Sequence, residues 1–237
     1  MEKRGNMRTK IIYEDADILV AWKTAGLATQ TARVGQQDMV SELKNHLARG
    51  SKGAPYLAVI HRLDQPVEGL LVFGKNKKAA AILSAQLEKG SLHKGYEAVL
   101  CGKPVAESGT LVDYLYKDGN SHAVVVTGQQ ERYPEAKEAV LHYQVLGNVE
   151  QPEYLTRMAV QIETGRFHQI RAQMAHAKMP LLGDNKYGTM ESLALSGALG
   201  VRQVALCANQ LAFCHPTTGK ELLFSGEPEN RAFALFH

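Results

Sequence analysis

From Tyr96 to Glu163 the sequence runs strand after strand. β-Rich, partly alternating stretches cover Tyr96–Leu100, Gly109–Tyr116, His122–Val126, Ala139–Leu146 and Tyr154–Glu163. Directly successive strands, outnumbering the helices, favour an α+β fold with a mixed sheet over alternating βαβ units. Strands are also expected at Lys10–Tyr13, Ile18–Lys23, Leu57–Ile60, Leu70–Phe73, Val204–Cys214 and Glu221–Phe224. Asp38 is placed to cap a helix with Met39, Val40, Leu43 and Leu47 on its apolar face, ending at Gly50. Asn76 caps a second with Ala80, Leu83 and Leu87 together, stopped at Gly90. A third is expected from about Arg166 to Ala177, and Ser192–Val201 reads ambiguously as a short helix. No linker or repeat divides the 237 residues, so one domain over 10–237, built as two lobes, is expected after a basic arm at 1–9.

Composition excludes several classes. Three scattered cysteines make no disulfide framework, and no apolar run is long enough to span a membrane. A soluble cytoplasmic protein with no membrane partner is therefore expected. The net charge of +3 matches the excess carried by residues 1–10 alone, too mild to argue for nucleic acid by itself. The sequence contains no Walker loop, Gly-x-Gly-x-x-Gly, His-Glu-x-x-His or Gly-x-Ser-x-Gly. Chemistry without a metal or other cofactor is expected.

Two segments stand out. His61-Arg62-Leu63-Asp64, then Gln-Pro-Val-Glu-Gly and the apolar run Leu70–Phe73, sets an acid beside a base at the end of a buried strand. Asp64 in such a turn is a nucleophile, a base or simply a turn acid. About a hundred residues later, Gly165-Arg166-Phe167-His168-Gln169-Ile170-Arg171 gathers cations at a helix start. That arrangement suits a phosphate, or Arg171 pairs with a buried acid and keeps it ionised. Tyr96, on its strand, is either core or a ring for stacking on an extruded base. Lys75, with Lys77 and Lys78, either tracks a phosphate backbone or starts a solvated helix.

Together these segments resemble the RluA-type pseudouridine synthases. The family pattern His-Arg-Leu-Asp-x-x-Thr-Ser-Gly-Leu-Leu is matched by His61–Leu71 except at Val67-Glu68. Gly-Arg-x-His-Gln-Ile-Arg is matched by Gly165–Arg171, Gly-Asp-x-x-Tyr-Gly by Gly183–Gly188, and a Lys-x-Tyr strand by Lys94–Tyr96. The resemblance implies the pseudouridine synthase fold, a curved and mainly antiparallel sheet with a catalytic cleft, here without an N-terminal S4 domain. It implies Asp64 as the catalytic aspartate, Tyr96 as the residue stacking on the base and Arg171 as partner of the aspartate. Arg62 would help hold or replace the flipped nucleotide, and His61, Lys75, Arg166, His168 and Gln169 are candidate contacts to structured ribosomal or transfer RNA. A monomer is expected.

The implied reaction detaches uracil from C1′, rotates it and rejoins it through C5. Asp64 either attacks the sugar carbon or removes a sugar proton. Glu68, where the pattern has a small hydroxyl residue, brings a second acid close to Asp64 in sequence, where like charge would oppose ionisation. That departure motivates the alternative of a non-catalytic RNA-binding or RNA-folding protein on the same scaffold. A nucleoside hydrolase is a weaker third reading, because such enzymes normally use two carboxylates and an admitted water.

Overall fold

Strand β2 (Ile18–Lys23) and strand β4 (Glu68–Gly74) are buried along their whole length, unlike strands that face water on one side. They pair antiparallel, with Ile18 opposite Gly74 and Lys23 opposite Gly69. The computed structural model describes residues 8–31, 35–49, 53–128, 130–151 and 153–236. The chain divides into two compact units, Met1–Lys94 with Ala208–Glu227, and Gly95–Cys207 with Pro228–His237.

In the first unit β1 (Lys10–Glu14) pairs β2, β2 pairs β4, and β4 is followed in the sheet by β10 (Leu206–Cys214). The two-residue β3 (Ala58–Val59) lies on β4, and β11 (Glu221–Ser225) lies on β10. Gly69 has φ +131°, and a Cβ there would stand 2.4 Å from the Ala208 carbonyl oxygen. Only glycine admits β10 so close to β4. Helix α1 (Met39–Ala48) starts where expected, the Asp38 carboxylate accepting the Ser41 N–H. The expected end at Gly50 lies outside the described residues. Helix α2 (Lys77–Glu88) is capped in the same way by Asn76. Leu43 and Leu83 are fully buried from these helices, as are Leu71, Val72 and Phe73 of β4.

The second unit is an antiparallel sheet in the order β5-β9-β8-β6-β7. Its strands are β5 (His93–Cys101), β6 (Ser108–Lys117), β7 (Ala123–Val126), β8 (Lys137–Val149) and β9 (Leu155–Ile162). Helix α3 (Gln169–His176) presents Ala172 to a core with Leu115, Ala123 and Ala139. It begins three residues later than its sequence pattern predicts. The Gln169 side chain folds back to accept from the Arg166 N–H and the Thr164 hydroxyl, and His168 turns left-handed at φ 51°. Those contacts close a turn in place of a first helical turn. The ambiguous stretch resolves as α4 (Met190–Ala198), capped by Thr189.

Of the basic arm, residues 1–7 lie outside the described residues. Arg8 and Thr9 are held on α1, both backbone N–H groups donating to Glu42 at 3.1 and 2.9 Å. No helix among the described residues is long and apolar enough to cross a membrane.

Candidate active site

The turn carrying Asp64 is gripped through the residues on either side of it. Before it, the Thr29 hydroxyl donates to the Leu63 carbonyl at 3.0 Å and accepts the Leu63 N–H at 3.3 Å. After it, the Gln65 carbonyl accepts from the Gly26 N–H at 2.8 Å and from Lys23 Nζ at 3.0 Å. Asp64's own carbonyl accepts the Val67 N–H at 3.0 Å, closing the turn into β4. The backbone is therefore fixed on both flanks, while the Asp64 residue is half-buried and Arg62 is exposed.

Lys23 is the residue that sequence reasoning missed. It ends an unbroken apolar strand, and its side chain is fully buried. Besides Gln65, its Nζ donates to the Leu27 carbonyl at 2.8 Å and the Thr24 carbonyl at 3.3 Å. Three carbonyls match the three N–H donors of an ammonium. Burial pushes this lysine down to about 7 against the opposing pull of the Asp64 and Glu68 carboxylates, with a small further push from Arg8. Glu68 itself is buried.

His61 is placed in the core rather than toward a ligand. Its Nε2 accepts the Val72 N–H at 3.4 Å, and burial, with Lys94 adding to it, pushes the ring down to about 3. A neutral imidazole so enclosed supports the framework of the turn and offers RNA little surface. Lys75 is likewise committed elsewhere, to Glu14 at 2.7 Å and to the Asp15 carbonyl.

In the second unit Arg171 is 5% exposed and forms a two-pronged pair with Asp184, Nε to Oδ2 at 2.8 Å and Nη2 to Oδ1 at 2.7 Å. This is the buried acid the sequence left open, and its only signal was the Gly183-Asp184 motif. Asp184 Oδ1 also accepts the N–H groups of Lys186 and Tyr187, so one carboxylate fixes both the guanidinium and the turn. The turn needs Gly183, which has φ +76° and whose Cβ would meet the Gln203 carbonyl at 2.2 Å. The Leu182 N–H donates to Val99 of β5, anchoring the segment to the strand that carries Tyr96.

Tyr187 receives the turn's other contacts. Its ring lies 5.1 Å from the Arg171 guanidinium, and its hydroxyl accepts the Ala123 N–H and bonds His168 Nδ1, each at 2.7 Å. His168 thus belongs to this cluster, stacked on Phe167, whose ring Lys117 approaches to 4.7 Å. Gln169 is buried, its Nε2 donating to the Val140 carbonyl. Arg166 donates to the Glu138 carbonyl, and Tyr96 is buried on β5. Among the described residues no cluster of histidine, cysteine and carboxylate side chains forms a metal-binding group.

Comparison with known proteins returns one family, described as RNA pseudouridylate synthase, over residues 17–176. The chain is 33% identical over 218 residues to an uncharacterized RNA pseudouridine synthase, YhcT, of Bacillus subtilis, covering 92% of this chain and 68% of that protein. It is 31% identical to tRNA pseudouridine synthase C of Yersinia pestis, covering 90% and 84% respectively. It is also 31% identical to ribosomal large subunit pseudouridine synthase D of Zymomonas mobilis, covering 96% and 71%. Among solved structures, human RNA pseudouridylate synthase domain containing 1 superposes with a TM-score of 0.77 at 19% identity, covering 96% of this chain and 86% of that one. That likeness bears on the fold alone.

Proposed function

This chain belongs to the RNA pseudouridylate synthase family, and from that premise we propose that it isomerises uridine in structured RNA, with Asp64 as the catalytic carboxylate. The observation that carries the reading is the turn itself, whose backbone is held at Leu63 and Gln65 while the acid between them is left half-buried. A fixed, partly desolvated carboxylate suits a reaction at a sugar carbon that must be approached from one side. Attack at C1′ and removal of a sugar proton both need the anion, and neither needs a second catalytic acid.

The uridine is stacked in its RNA, so it is extruded first, at a cost of a few kcal/mol. Exposed Arg62, two residues before Asp64, takes the space the nucleotide leaves. The resemblance assigns Tyr96 to the freed uracil and Arg171, two of whose N–H groups meet Asp184, to the aspartate, and these roles enter the proposal as the resemblance gives them. Arg166 and His168 are the remaining proposed RNA contacts; His61, Gln169 and Lys75 act through the framework. Transfer RNA and large-subunit ribosomal RNA, named for the relatives, define the substrate class to test.

The experiment measures tritium release from uracil C5 in bulk cellular RNA, then maps pseudouridines with and without the gene. Wild type releases tritium; Asp64→Asn forms no detectable pseudouridine while binding RNA within about twofold of wild type. An Asp64→Asn enzyme with near-normal activity removes Asp64 from its role. RNA binding by wild type without any release would favour the non-catalytic reading instead.

A further inference from the structure

Phe167 is an aromatic ring kept at the surface, 38% exposed, at the open position of the pattern that Gly165–Arg171 matches. A single exposed apolar side chain needs no explanation by itself, but this one is built into a stack. The His168 imidazole lies nearly parallel to it, with centroids 3.7 Å apart and planes at 21°. His168 is held in turn, its Nδ1 bonding the Tyr187 hydroxyl at 2.7 Å. It also keeps a left-handed backbone at φ 51°, which is unfavourable for a residue with a side chain and persists only where its surroundings enforce it. The back of the Phe167 ring is therefore fixed.

The front carries Lys117, whose Nζ stands 4.7 Å from the ring centroid. An imidazole stacked at 3.7 Å leaves no room for an ammonium on its own side, so the two take opposite faces. Lys117 is the last residue of β6 and is exposed. All four residues belong to the second unit.

We propose that Phe167 and Lys117 form a platform for one unpaired nucleobase of the RNA. The base stacks on Phe167 in place of the ammonium, and Lys117 turns to the neighbouring phosphate. The inference rests on the reading that this chain acts on structured RNA. It adds two residues with no assigned role to Arg166 and His168, the contacts already proposed on the same loop.

The exchange runs in the right direction. An exposed cation–π contact is worth about two- to fivefold in an equilibrium constant, and a base stacked on an aromatic side chain about five- to 150-fold. The displaced lysine keeps its charge and neutralises a phosphate, which releases a counterion. A single RNA strand alternates flat bases with phosphates, and so matches a ring with a cation beside it. An aliphatic protein side chain would cover the ring and leave the ammonium without an anion.

The test measures binding of bulk transfer RNA by wild type, Phe167→Leu, Phe167→Trp and Lys117→Gln over a series of salt concentrations. Phe167→Leu weakens binding about tenfold, whereas Phe167→Trp binds at least as tightly as wild type. The new indole is quenched when RNA is added, beyond any change from Trp22 in wild type. Lys117→Gln flattens the dependence of log affinity on log salt by about one. A role in packing the loop alone predicts that leucine and tryptophan weaken binding alike, and that result overturns the proposal. Wild-type affinity in Phe167→Leu overturns it, and so does an unmoved salt slope in Lys117→Gln, since the lysine then meets no phosphate.

None of these measurements needs turnover. Absence of tritium release by wild type would remove the catalytic reading, while the affinities still decide the platform. Release by wild type with unaltered binding by Phe167→Leu would remove the platform alone.

Discussion

Among the described residues, Lys23 in one unit and Arg171 in the other are buried cations, each satisfied in a different way. Arg171 meets Asp184 through two parallel bonds, charge against charge. Lys23 meets three neutral carbonyls, and its compensating charges act on it without belonging to it alone. A planar guanidinium stays protonated and matches a carboxylate in shape, so the first arrangement is a fixed strut. An ammonium titrates when buried, so the second can change state with pH. The difference teaches that burial of a charge is not one device. The arginine pair fixes one turn with a permanent charge, while the lysine fixes another with a charge that burial makes labile.

The strut gives the largest expected effect. Asp184→Ala leaves Arg171 buried without its bidentate partner and also frees the N–H groups of Lys186 and Tyr187. Urea denaturation should show a loss of about 3–5 kcal/mol. Replacing both, as Arg171→Met with Asp184→Leu, should cost less than Asp184→Ala alone. If the double variant is the worse of the two, the pair is not the strut described.

Next comes the lysine, through pH. Its value in the fold, about 7, lies below the 10.5 of a free lysine, so between these values the unfolded chain binds more protons. Stability of wild type relative to Lys23→Met should be level below pH 7 and should rise with pH across that window. The gain between pH 7.5 and 9 should be about 2 kcal/mol. A flat difference would mean that Lys23 is as fixed in charge as Arg171, and the contrast would fail.

Two smaller effects sharpen the comparison. Thr29→Val removes both bonds to Leu63 and should cost about 1–2 kcal/mol, with kcat falling more than KM rises as the Asp64 turn loosens. Tyr187→Phe removes a hydroxyl that serves His168 and Ala123, and should cost about 1 kcal/mol by thermal or urea unfolding. Equal kinetic damage from both would argue against assigning the Asp64 turn the more demanding geometry.

Much of the frame was legible from residues alone. Asp38 and Asn76 cap the helices expected of them, because a cap is a contact between near neighbours. The strand series from Tyr96 to Ile162 followed from local pattern and appears as β5 to β9. The start of α3 was misread because the Gln169 amide competes with the helix for the N–H groups before it, and periodicity does not register such a contact. Lys23 gave no signal, since a lysine ending an apolar run ordinarily lies in water. The partner of Arg171 was visible as an acid in a motif but not as a partner, because a pair thirteen residues apart depends on how the turn closes.

By itself, then, the sequence determined the elements, the order of the motifs and the family they belong to, all properties of spacing along one chain. Tertiary structure decided which charges are buried and what compensates them. Desolvation and distance set the cost of a charge, and both are defined only once separate stretches of chain have been brought together.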